Sequence, residues 1–141
     1  MKEIIEQAIA TIQANDQGSY TVPTHGLYPF QWNWDSCLTA IGFAHFDVER
    51  AWIEIETLFK HQWDDGMVPH IIFHRQNDGY FPGPDVWNTG RPVPTSGITQ
   101  PPVAGYCLKK VFERTDNQSD YVERLRSLIR KIHAWHQWFY Q

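Results

Sequence analysis

Cysteine is scarce in this chain: its 141 residues include only Cys37 and Cys107, both in apolar, helix-like stretches. That is too few for a disulfide framework, and a buried free thiol behaves as a small hydrophobe, so both read as inert core residues. Basic charge is also in short supply. Twelve Lys and Arg face 16 Asp and Glu for a net charge of -4, and no loop gathers the cations that a phosphate backbone demands, which excludes nucleic acid as a partner. Long apolar runs are missing too. Nothing approaches the roughly 18 uninterrupted apolar residues of a membrane span, and the opening MKEIIEQAIATIQAN mixes charges into its apolar residues without a signal-peptide cleavage site. No membrane partner is expected, and the cytoplasm is the default compartment. No phosphate-cradling glycine loop and no GxSxG elbow occurs. His70 and His74 lie in a run broken by Pro69, His133 and His136 lie on a helical stretch, and neither pair has a third ligand nearby in sequence. No metal or cofactor is expected.

What the chain does have is helical periodicity and aromatic residues. Ile4, Ile5, Ala8, Ile9 and Ile12 recur at helical spacing and predict a first amphipathic helix from Lys2 to about Asn15. A second helix, apolar on most sides and therefore buried, is predicted from Asp35 to Phe46. Asp47 then reads as the N-cap of a third, with Glu49 in its first turn and its apolar stripe on Val48, Ala51, Trp52, Ile55, Leu58 and Phe59. From Asp64 to Gln100 the pattern breaks, apart from an extended run at Val68 to Phe73. Tyr80, Phe81 and Trp87 mark this segment as an ordered functional loop, because disordered segments are poor in aromatics. Pro101 and Pro102 suit the first turn of a fourth helix ending near Arg114. Asp120 and Glu123 resemble a capping box opening a fifth, with its stripe on Tyr121, Leu125, Leu128, Ile129, Ile132, Trp135 and Phe139. The fold class is therefore all-α, with about five helices in hairpins and a long ordered loop.

Four aromatics, Tyr28, Phe30, Trp32 and Trp34, crowd the stretch GLYPFQWNWDS just ahead of Asp35. Sugar rings present an apolar face of C–H groups that flat aromatics cover, while a carboxylate such as Asp35 accepts from hydroxyls. The same residues would equally plug the end of a helical bundle, with Asp35 as an N-cap. Asp64, Asp65, Asp78 and Asp85 offer carboxylates for glycoside hydrolysis, yet each sits by Gly or Pro, where turn-forming Asp is ordinary. Gln100, at the mouth of the fourth helix, offers both an amide donor and an acceptor, suited to a pair of hydroxyls or to a cap.

Taken in order, QWNWDS, DDGMVPH, the Gly-Tyr-Phe-Pro-Gly segment and SGITQPPV resemble the trehalase-like, glycoside hydrolase family 63 group, nearest to its bacterial glucosylglycerate and mannosylglycerate hydrolases. The resemblance implies an (α/α)6 barrel, of which residues 1–141 supply an N-terminal portion. It also implies inverting hydrolysis of a small glucosyl or mannosyl compound. By matching motif, Tyr28, Trp32 and Trp34 are implied to face the sugar, Asp35 to hold hydroxyls of the ring being cleaved, and Tyr80 and Gln100 to add substrate contacts. In that family the general acid Asp lies near a later Gly-Trp-Asp-Asn stretch and the general base Glu near the barrel's end. Neither stretch occurs here, so no catalytic carboxylate is assigned and the chain alone is expected to bind sugar without hydrolysing it. The expected partners are a small sugar and either the rest of the barrel or a second copy. The rival reading is an autonomous carbohydrate-binding or protein-interaction module without catalysis, whose exposed last-helix aromatics, Trp135, Trp138 and Phe139, bury against a partner or a second copy.

Overall fold

The apolar spacing that opens the sequence folds as helix α1 (Lys2–Ala14) in a computed structural model, which describes residues 2–141. No residue of α1 is fully buried. Ile12 seats against Gly42 of the next helix, whereas Ile4 and Ile5, predicted core positions, face solvent. Helix α2 (Asn33–Phe43) buries Ser36, Cys37, Ala40 and Phe43 along one stripe, and α3 (Val48–Lys60) buries Ala51, Trp52, Ile55, Leu58 and Phe59 opposite it. Asp47 caps α3 as expected, accepting from the Arg50 N–H at 3.0 Å. Helix α5 (Ala104–Glu113) adds Ala104, Cys107, Leu108 and Val111 to the same core. The last long helix, α6 (Val122–Trp138), closes it with Leu128, Ile132 and Trp135. Side chains of this size contribute roughly 1.5–3 kcal/mol each on full burial. The two most deeply buried indoles also find acceptors, Trp52 Nε1 on Thr115 Oγ1 at 3.0 Å and Trp135 Nε1 on Thr99 Oγ1 at 2.9 Å.

Several expectations need correction. Helix α2 begins at Asn33, not Asp35, so Trp34 and Asp35 belong to its first turn and Asp35 is not the N-cap. Tertiary partners replace the missing cap: the Asn33 N–H donates to His70 O at 3.1 Å, and the Trp34 N–H donates to Gln100 Oε1 at 3.1 Å. Pro101 and Pro102 precede α5 without entering it. Asp120 and Glu123 do not form a capping box. Asp120 lies in a 3-10 turn (Gln118–Tyr121), and Glu123 pairs with Arg126 at 2.6 Å. Within the expected stripe of the last helix, Ile129 and Phe139 are exposed, whereas Trp135, expected to be free to meet a partner, is sealed in the core.

The long segment between α3 and α5 is ordered by pairing that the sequence did not reveal. Strand β1 (Gln31–Trp32) runs antiparallel to β2 (Ile71–Ile72), with Gln31 opposite Ile72 and Trp32 opposite Ile71. A short helix, α4 (Pro84–Trp87), follows. Around this ribbon Phe30, Trp32, Ile71 and Phe73 form a separate small core, with Tyr80 and Trp87 packed on it.

The turn that leads from α3 into this segment is pinned to α6. Gln62 Nε2 donates to Gly66 O and to Lys131 O, each at 2.8 Å. Gly66 has φ +103°, and a Cβ there would come within 2.6 Å of Ala134 O. Gly66→Ala therefore combines a conformation that side chains avoid with a clash against helix backbone. A loss of about 3 kcal/mol is expected, read as a lowered urea midpoint at unchanged m-value.

Candidate functional site

A cleft of about 410 Å³ opens where the β1 ribbon meets the start of α2. It is lined by Pro23, Thr24, Tyr28, Trp32, Trp34, Asp35 and Gln100. Of the six residues singled out from the sequence, five stand here together. Tyr80 lies just outside the wall, its ring edge-on to Trp32 at 5.4 Å and to Phe30 at 5.4 Å.

The aromatic crowd divides in two. Phe30 is sealed in the small core and Trp32 is only 7% exposed, so these two do what bundle-plugging aromatics do. Tyr28 and Trp34 stand open at 42% and 43% exposure and supply the flat apolar faces of the cleft. Tyr28 meets Trp32 edge-on at 5.3 Å, which stiffens the wall.

Asp35 sits at the base of the cleft and also touches a second hollow, of about 240 Å³, against α1. No Lys or Arg pairs with it among the described residues. Burial pushes its carboxyl pKa above the ordinary 3.8, while its own backbone N–H and the Trp34 indole pull the other way. Half-buried and without a cationic partner among the described residues, the carboxylate is placed to accept from sugar hydroxyls. Opposite it, Gln100 spends its Oε1 on the Trp34 N–H. Its amide nitrogen, which has no protein acceptor among the described residues, remains available to a hydroxyl oxygen.

The other carboxylates weighed from sequence go elsewhere. Asp64 lies 3.5 Å from Arg91. Asp65 accepts from Met67 N at 3.0 Å and from Trp138 Nε1 at 3.1 Å, a turn role. Asp78 and Asp85 line a separate hollow of about 380 Å³ along with Tyr80 and Phe81. His70 and His74 are engaged apart. His70 Nδ1 meets Ser96 Oγ at 2.7 Å, and His74 Nε2 meets Gln31 Oε1 at 2.7 Å.

Beneath the cleft runs a buried polar network that the sequence did not announce. Fully buried Glu54 on α3 takes Arg50 Nη2 at 2.7 Å on one oxygen, and Thr21 N and Oγ1 at 3.1 and 2.9 Å on the other. The same Arg50 nitrogen reaches Asp16 Oδ1 at 2.7 Å, and the guanidinium stacks on Phe43 at 4.6 Å. Thr21 in turn leads directly into Pro23 and Thr24, two cleft residues that the sequence reading missed. An exposed-looking TVPT stretch carries no chemical signature of its own, and the one available hint was Glu54 at a core-facing position of α3.

Comparison with known proteins supplies the context. The chain matches the family described as the mannosylglycerate hydrolase MGH1-like glycoside hydrolase domain over residues 28–141. It is 46% identical over 140 residues to a mannosylglycerate hydrolase of Selaginella moellendorffii, covering 99% of this chain and 29% of that protein. The crystal structure of the GH63 mannosylglycerate hydrolase of Thermus thermophilus in complex with Tris superposes with a TM-score of 0.90 at 48% identity, over 96% of this chain and 32% of that one. The same enzyme in complex with glucose superposes with a TM-score of 0.81 at 46% identity, over 96% and 33% of the two chains. This chain spans about a third of the length of these relatives, and its helical hairpins agree with the partial barrel that the sequence motifs imply. By sequence and by fold, it belongs to the MGH1-like glycoside hydrolase family.

Proposed function

We propose that this chain forms the sugar-binding part of a glycoside hydrolase acting on a small glucosyl or mannosyl compound, such as glucosylglycerate or mannosylglycerate. The observation that carries this reading is the convergence of two exposed rings, Tyr28 and Trp34, with an unpaired carboxylate, Asp35, and a free amide, on Gln100, in one cleft. A pyranose lays its C–H face on Trp34, directs neighbouring hydroxyls to Asp35 and receives the Gln100 amide N–H on a further oxygen. Tyr80 holds Trp32 upright from behind and extends the aromatic wall.

The general acid and base lie outside these residues in this reading. Inverting hydrolysis needs two carboxyl groups about 6.5–9.5 Å apart, and Asp35 is the one carboxylate lining the cleft among the described residues. Asp35 orients the ring while carboxylates contributed from elsewhere protonate the leaving oxygen and activate water.

Titration of the chain with D-glucose, followed by tryptophan fluorescence, tests the assignment. Trp34→Ala is expected to remove the response, with affinity falling at least about 30-fold, equivalent to ~2 kcal/mol. Glucose binding that survives this substitution unchanged would place the sugar elsewhere. Hydrolysis of a glucoside by the purified chain would overturn the division of labour between binding and catalysis.

A further inference from the structure

The two faces of strand β1 have opposite characters. Trp32 turns toward the cleft, while Gln31, its neighbour in the strand, is driven into the protein interior with no exposed surface. A primary amide buried that deeply costs several kcal/mol unless its hydrogen bonds are made. Here they are made to three separate elements. Nε2 donates to Ser36 Oγ at 3.1 Å and makes a long contact with the Glu54 carbonyl oxygen at 3.5 Å, and Oε1 faces His74 Nε2 at 2.7 Å. Ser36 lies in the first turn of α2 beside Asp35, Glu54 anchors the Thr21 segment that leads to Pro23 and Thr24, and His74 follows β2.

We infer that Gln31 is a positioning residue that sets the cleft geometry, with His74 as the donor that fixes which way its amide points. This rests on the cleft being the sugar site. With the Gln31 nitrogen turned to Ser36 Oγ and toward the Glu54 carbonyl, its oxygen faces His74 Nε2, which serves as the donor in this arrangement. The imidazole is held in that role from its other sides. Tyr20 stacks on it at 4.1 Å between centroids, and His61 meets it edge-on at 5.1 Å. Burial and the neighbouring His61 lower its pKa to about 4, so at neutral pH the ring is uncharged. The fixed amide ties β1, and with it Trp32, to the α2 turn that carries Trp34 and Asp35. A small rotation of that turn relative to the strand would part the flat wall from the carboxylate, and near-ideal placement is what such a site needs.

Four variants of the chain test this. Gln31→Met keeps shape and removes the hydrogen bonds. His74→Phe keeps the stack on Tyr20 and removes the donor, whereas His74→Gln returns an N–H at the same reach. Leu128→Ala, in the core on α6, controls for lost stability alone. Glucose affinity is expected to fall about tenfold in Gln31→Met and His74→Phe, to stay within about threefold in His74→Gln, and to hold in Leu128→Ala at comparable thermal destabilisation. The inference is overturned if Gln31→Met loses stability but keeps affinity, or if His74→Gln fares no better than His74→Phe. Should the parent chain bind no glucose, the sugar-site reading fails by itself. The indole 1H–15N resonances of Trp32 and Trp34 then decide the positioning role: shifts in Gln31→Met and His74→Phe but not in Leu128→Ala support it, and unmoved resonances reject it.

Discussion

Arg50→Ala is expected to destabilise the fold by about 3–5 kcal/mol, the range for removing one partner of a buried ion pair. Glu54 is fully buried and Arg50 nearly so, and their 2.7 Å contact is the only cationic neutralisation that the Glu54 carboxylate receives among the described residues. Alanine at 50 leaves that charge in the core with Thr21 alone as hydrogen-bond donor. It also strips the guanidinium from Phe43 and frees Asp16, which the same side chain grips through Nε and Nη2 at 3.0 and 2.7 Å. A double substitution of Arg50 and Glu54 by leucine should recover much of the loss, because the penalty lies in the unpaired charge and not in the missing bond. Urea unfolding of Arg50→Leu, Glu54→Leu and the double measures the coupling. A loss below about 1 kcal/mol for Arg50→Ala would mean that water already reaches Glu54. By contrast, the Arg124 network with Glu49 and Glu56 is partly exposed and should yield far less on truncation.

Asp35→Asn is expected to do two opposite things at once. Glucose affinity should drop about 100-fold, or ~2.7 kcal/mol, since charge-assisted hydrogen bonds from hydroxyls are lost. Stability at neutral pH should rise. Burial holds the Asp35 pKa above 3.8 in the folded chain, so the folded state binds that proton more tightly than the unfolded one does. The stabilisation linked to the protonated form is complete below 3.8 and disappears as pH rises through the elevated folded value, leaving an unfavourable, partly buried charge at pH 7. Asparagine carries no such charge. Its thermal advantage over the parent chain should therefore be present at pH 7 and shrink toward pH 3. Glucose binding by the parent should weaken on acidification with a midpoint above 3.8. A variant that binds as well as the parent, or one less stable at pH 7, contradicts the role given to this carboxylate.

How far the sequence revealed all this depended on whether a signal was local. Helical periodicity and the Asp47 cap are local, and α1, α2, α3, α5 and α6 lie close to where the apolar spacing puts them. The QWNWDS cluster was legible because large aromatics beside a carboxylate stand out in any loop. What escaped was set by distant pairing. The β1–β2 ribbon is only two residues wide on each side, too short for alternation to show. The start of α2 is fixed by His70 and Gln100 instead of by a capping side chain of its own, so no N-cap residue marks it. The Asp120 and Glu123 spacing gave a false capping signal because a 3-10 turn satisfies that end of the helix first. Gln31 and His74 looked unremarkable singly, since a buried amide next to Trp and a histidine behind two isoleucines acquire meaning only when the strands pair.

The hydrogen bond from Trp34 N to Gln100 Oε1 joins positions 66 residues apart, and Thr99, next to Gln100, is held by the Trp135 indole of α6. Closing so long a loop is entropically costly and slow beside the forming of single helices. During synthesis, Tyr28, Trp34 and Asp35 leave the ribosome well before Gln100 does, and Gln100 before the helix that steadies it. The cleft thus matures later than the helices around it, and until Gln100 and α6 have emerged a nascent chain leaves Tyr28 and Trp34 open to solvent and to chaperones.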